Sequence, residues 1–212
     1  YNLNRNGTWE TLPLQMGNGT YTLRVARQVS GNGYGILATR DVSVSLASAL
    51  SPYLVPNQRV YYTAGSSVVA KSNALCSGKS ELEKIRAVYL YAAQNITYDS
   101  ALASNPPSGY IPDPDRTLAS GTGICYDYAA LVAAMLRVQG IATKLVMGYE
   151  VSSGGAYHAW NQIYVSGGGT ITIGISFSGG SWNVIDATFA ATSGDAEGFA
   201  INPGNYPASL VY

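Results

Sequence analysis

Apolar and polar residues alternate through Thr20-Tyr-Thr-Leu-Arg-Val-Ala-Arg, the period of two that predicts a half-buried strand. Turn-forming steps at Asn6-Gly7, Asn18-Gly19 and Gly31-Asn-Gly33 punctuate the same region. The first 46 residues therefore predict an N-terminal meander of three to five short strands, with Gly35 to Arg40 and Asp41 to Leu46 as the later ones. The segment is too short for a full immunoglobulin-like sandwich. Pro52 and Pro56 then break the alternation, each removing a backbone donor and restricting the residue before it, so residues 47–59 read as a connector.

Beyond the connector the period changes. Ser66 to Leu75 predicts a short helix, and the run from Ser80 has apolar residues at 82, 85, 88, 89 and 92, with a serine to cap it and two acids in its first turn. Tyr98 to Leu118 carries four prolines and predicts a long irregular loop. Thr122 is the expected cap of the next helix, on which Cys125, Ala129, Val132 and Leu136 share one face, and Gly140 is placed to stop it. Four strands follow at Ile141 to Val151, Tyr157 to Val165, Thr170 to Phe177 and Trp182 to Ala187, and the tail from Tyr206 to Tyr212 is a further candidate strand. Helices followed by an antiparallel sheet give an α+β class, with residues 60–212 as its main domain.

Composition narrows the partners. Of the 212 residues 47% are hydrophobic, enough for a core, while 12 basic and 12 acidic residues cancel. Nothing here is the basic footprint of a nucleic-acid binder, and no apolar run reaches the roughly 20 residues that cross a bilayer. Abundant Gly (24) and Tyr (17) with only 11% charged residues suit an exported bacterial protein, extracellular or at the cell surface, whose signal or anchor was removed before residue 1.

One cysteine stands where chemistry could start. Cys125 opens a helix, where partly positive N–H groups favour a thiolate. The single histidine, His158, lies on a predicted strand and excludes ordinary multi-histidine metal sites. Asp186 ends an otherwise apolar strand, where a carboxylate needs a partner. A thiol nucleophile needs a base, and the base needs a third group to hold its tautomer. Cys125, His158 and Asp186 supply those three residue types; their spacings make proximity feasible without establishing it.

At these residues the chain resembles the transglutaminase-like superfamily. The three blocks occur in order as Gly123-Ile-Cys125-Tyr-Asp-Tyr-Ala, His158-Ala-Trp160-Asn and Val184-Ile-Asp186-Ala-Thr, and Tyr89 to Asp99 is similar to the helix and Tyr-Asp turn preceding the cysteine in bacterial members. The resemblance spans roughly residues 80 to 190. It implies a papain-like core of helices packed on an antiparallel sheet, with Cys125 as nucleophile, His158 as base and acid, and Asp186 as the orienting acid. It further implies a thioester formed from a protein or peptide substrate, with cell-wall peptide as one candidate, and no cofactor or metal. The Cys125 N–H would meet the oxyanion, with Tyr98 and Asn95 as candidates for the second donor. Trp160 and Asn161 stand between core packing and substrate shaping.

Two rival readings stay open. A Cys76–Cys125 disulfide would stabilise the chain and abolish the nucleophile. A non-catalytic adhesion module could keep the fold and use the tyrosine-rich β segment as its binding surface.

Overall fold

A computed structural model describes residues 1–3, 9–170, 176–197 and 199–212. The chain divides into two units, Leu14–Pro52 and a larger one formed by Tyr1–Pro13 with Tyr53–Tyr212. The smaller unit is one antiparallel hairpin, β1 (Gly19–Ser30) with β2 (Gly33–Val44), turning at Gly31, whose φ of +49° suits glycine. Among the described residues this unit holds two long strands where three to five short ones were expected. Gly35 to Arg40 and Asp41 to Val44 run on as one strand through a bulge near Ala38, and Asn18-Gly19 begins β1 instead of turning it. The Asn6-Gly7 step lies outside the described residues. The chain's first residues lie with the larger unit, where the Gln58 N–H donates to Thr11 O at 2.8 Å and the Gln58 side chain donates to Asn2 O and the Glu10 carboxylate.

In the larger unit α1 (Ser67–Cys76) precedes α2 (Glu81–Asn95). As expected, Ser80 starts α2: the Glu83 carboxylate at N3 accepts from the Ser80 N–H at 2.8 Å, satisfying a donor the helix cannot. The predicted loop from Tyr98 is partly ordered. It contains β3 (Thr97–Tyr98), α3 (Ser100–Ser104), capped by Asp99, and α4 (Pro114–Ser120), capped by Asp113 with proline at its start. Thr122 does not cap the next helix; it forms β4 (Thr122–Gly123), parallel to β3, because Thr97 N–H donates to Gly121 O and Asp99 N–H to Gly123 O.

The helix α5 (Cys125–Val138) is capped by Ile124 and is buried from Tyr126 to Arg137. It ends where Gly140 takes φ +74° and the Ile141 N–H returns to Leu136 O. Around it pack α1, α2, α4, two strands of the sheet and α6 (Ala187–Ser193). The strands β5 (Thr143–Glu150), β6 (Ala156–Val165), β9 (Ser181–Ile185) and β10 (Ala208–Val211) form one antiparallel sheet in the order β10-β5-β6-β9. The tail is thus an edge strand. Residues 170–177, expected as a fourth sheet strand, contribute only to a small separate ribbon of β7 (Gly169–Thr170) and β8 (Ser176–Phe177), and residues 171–175 lie outside the described set. The result is an α+β, papain-like core. No helix of the described residues is long and apolar enough to cross a membrane.

Candidate active site

Three elements converge at the start of α5. Every residue of that helix from Tyr126 to Arg137 is buried, but Cys125 at its first position is half-buried, so the thiol lies at an end that reaches solvent. Gly123 makes this entry possible. A Cβ there would lie 2.6 Å from Cβ of Asp127, whose carboxylate accepts from the Ile124 N–H at 2.9 Å and thereby fixes the turn. Tyr110 donates its hydroxyl to both Asp127 oxygens, at 2.8 and 2.9 Å, and Arg116 pairs with Asp127 at 3.4 Å. Burial pushes the Asp127 carboxyl up, although these donors pull the other way.

The register of the sheet brings up the second and third groups. Asn161 pairs with Ile185 at the last step of the β6–β9 ladder, so one further step sets 186 opposite 160, on the face that 158 shares. There the chain leaves β9 and starts α6 with Asp186 as its cap. One oxygen of Asp186 accepts from the Thr188 and Phe189 N–H groups, both at 3.0 Å; the other meets His158 Nε2 at 2.7 Å and the Tyr206 hydroxyl at 3.2 Å. The buried carboxylate is thus fully partnered, as its placement demands. His158 is also buried, and Cys125 lies near enough for its charge to act on the imidazole. With Nε2 on Asp186, Nδ1 is left for the thiol. Burial pushes the imidazole toward its neutral form, but the hydrogen bond to Asp186 and the charges of Asp186 and Cys125 outweigh it, raising its pKa to about 10.

Aromatic rings hold the imidazole edge-on to these partners. Phe189 stacks on it at 4.4 Å and 12°, Trp160 lies 6.3 Å away at 24°, and Tyr206 packs against Trp160 at 5.2 Å. Neither Phe189 nor Tyr206 carries a sequence signal for this role. Phe189 lies on a helix beyond the strand expected to end at Ala187, and Tyr206 stands at the start of the tail expected as a further strand, far in sequence from Asp186. Trp160 is buried, so it shapes the site by backing His158.

The remaining candidates separate. Asn161 leaves β6 on the face opposite His158, where its amide donates to Ala129 O at 2.9 Å and Lys144 O at 3.1 Å, tying α5 to the sheet. Asn95 is exposed, and its amide turns back to Tyr91 O in its own helix. Tyr98 is half-buried beside the thiol; burial, then the charge on Cys125, pushes its phenol up. Both cysteines are free thiols, and Cys76 is buried at the end of α1, where burial pushes its thiol up. Among the described residues no group of three or more His, Cys, Asp or Glu is arranged to hold a metal ion.

A model of the transglutaminase-like superfamily matches residues 70–187, more than half of the chain, with Cys125, His158 and Asp186 inside the match. The chain belongs to the transglutaminase-like superfamily. Kyphoscoliosis peptidase from Mus musculus is 27% identical over 129 residues and the Homo sapiens protein 26%; each match takes in 57% of this chain but only 17% of the relative. Among solved structures, a candidate cysteine protease from Cytophaga hutchinsonii superposes with a TM-score of 0.52 at 15% identity, covering 89% of this chain and 70% of that one. That likeness concerns the fold.

Proposed function

We propose that this member of the transglutaminase-like superfamily is a cysteine acyl-transfer enzyme acting on peptide or amide bonds, working outside the cytoplasm. The reading rests on one observation, the 2.7 Å contact of buried His158 with Asp186 within electrostatic reach of the thiol that opens a buried helix.

In the proposed reaction the Cys125 sulfur attacks the amide carbonyl while His158 holds the thiol's proton. The C–N bond breaks as the imidazolium gives that proton to the leaving amine, and a thioester remains. Water or a second amine then attacks, with His158 taking its proton, and Cys125 leaves. At the first position of α5 the Cys125 N–H has no acceptor within the helix and is free to meet the oxyanion. Tyr98 is the remaining candidate for a second donor. Asp186 keeps Nε2 protonated and balances the charge that forms on the ring.

The test is to alkylate the folded protein with iodoacetamide, map the adducts by mass spectrometry, and screen a peptide library for amide cleavage or amine incorporation. Selective labelling at Cys125 that collapses in His158→Ala, with turnover abolished by Cys125→Ser, is the expected result. Equal labelling of both cysteines, or none at Cys125, would sink the proposal. That outcome would favour the adhesion reading, which draws on the hairpin, where Leu23, Val29, Ile36 and Leu37 are exposed.

A further inference from the structure

The surroundings of the thiol include a cation that the relay does not use. Arg59 lies in the larger unit with its guanidinium carbon 5.4 Å from the ring centre of Tyr212 and 6.0 Å from that of Tyr1. It lies within electrostatic reach of Tyr126, the residue after Cys125, whose buried hydroxyl has no hydrogen-bond partner, and of Tyr157, the residue before His158, which also feels the charge on Cys125. Both neighbours of the relay therefore lie within reach of this arginine's charge.

The other described arginines of this unit are matched differently. Arg86 pairs with Glu197 and Arg116 with Asp127, while Arg137 spends its donors on the carbonyls of Val55, Thr143 and Tyr212. Among the described residues no carboxylate forms an ion pair with Arg59, and its buried Nε–H has no acceptor. Aromatic faces offset part of the cost of desolvating a guanidinium but accept none of its forked hydrogen bonds. A planar fork with an open donor suits a carboxylate. The surroundings are reachable from solvent, since Tyr157 is 48% exposed and Cys125 half-buried.

We infer that Arg59, framed by Tyr126, Tyr157 and Tyr212, is an anion subsite beside the thiol, and that the preferred acyl donor carries a carboxylate adjoining the scissile amide. This deepens the proposed function and rests on it. The carboxylate can come from an acidic side chain or from a free chain terminus, and the two present the same chemistry to the guanidinium.

Three thiol-directed probes separate the possibilities: chloroacetyl-aspartamide, with a side-chain carboxylate; chloroacetyl-glycine, with a terminal one; and chloroacetyl-asparaginamide, which is neutral. Each rate of alkylation at Cys125 is divided by the rate on N-acetylcysteine amide. At least one acidic probe should exceed the neutral one by about tenfold, the scale of one partly screened charge pair, and the faster acid identifies the source. Arg59→Gln should erase most of that advantage. Arg59→Lys keeps the charge but not the fork and should reduce it severalfold, which preserves the test if the glutamine variant fails to fold. The inference is overturned if wild type shows no acidic advantage, or if the advantage persists in a folded Arg59 variant. The proposed enzyme survives either result as long as the neutral probe labels Cys125 in a His158-dependent way; if it does not, that reading fails first.

Discussion

Gly148 lies directly opposite His158 across the β5–β6 ladder, and no other residue fits there. A Cβ at Gly148 would lie 2.2 Å from Pro207 O and 2.8 Å from Cη2 of Trp160, which backs the imidazole. Gly148→Ala must therefore push β10 or Trp160 aside. The expected outcome is a loss of about 2 to 4 kcal/mol in denaturant unfolding, together with a shifted His158 resonance in NMR spectra. Unchanged stability would mean that the tail strand does not pack as described.

Asp186→Asn separates capping from charge. Asparagine caps helices about as well as aspartate, so the start of α6 should lose less than about 1 kcal/mol. The imidazole loses its anion, and its titration should move down by more than one unit. Because His158 is the only histidine, its resonances report this without assignment ambiguity. Turnover on any amide substrate should fall by roughly a thousandfold or more.

Stability should also depend on pH in a set direction. The folded imidazole, at about 10, stands above the unfolded value of about 6.5, so its protonation contributes stability that is fully present below about pH 6.5. That contribution is lost as pH rises through 10. Melting temperature should thus decline between these limits in wild type, with a flatter profile in Asp186→Asn.

Tyr206→Phe removes one donor from the Asp186 oxygen shared with His158 and leaves the ring contact with Trp160. Three other donors remain on that carboxylate, so the loss should be about 1 kcal/mol, with a smaller movement of the His158 titration than in Asp186→Asn. A shift as large as that of the asparagine variant would show that Tyr206, and not the α6 cap, orients Asp186.

Gly123→Ala tests why a glycine stands two residues before the thiol. The added methyl meets Cβ of Asp127 at 2.6 Å, both atoms being held by backbone, so the first turn of α5 must open. Reduced alkylation of Cys125, with a melting temperature several degrees lower, is the expected result.

Much of this arrangement was legible from local pattern. The apolar spacing after Ser80 and along Cys125 to Leu136 specifies α2 and α5, since a helix with that spacing can bury one face against a partner. The β-forming run Tyr157 to Val165, bounded by Gly- and Ser-rich turns, does the same for β6, and three separated blocks sufficed to name the superfamily and to single out Cys125, His158 and Asp186. These features depend on neighbours a few residues apart, which a sequence displays directly.

Tertiary structure decided the rest. Asn161 and His158 lie three apart on one strand, yet strand alternation sends one to the carbonyls of Ala129 on α5 and Lys144 on β5 and the other to Asp186, which a motif read as a string does not separate. Thr122 has the chemistry of a cap, but the pairing of β3 with β4 claims its backbone and leaves Ile124 to start the helix. Phe189, Tyr206 and Gly148 enter the site through sheet order and through a tail strand that pairs with β5 from more than 50 residues away. Such contacts arise only when distant segments compete to bury the same face, so they belong to the packed molecule and not to any stretch of the chain.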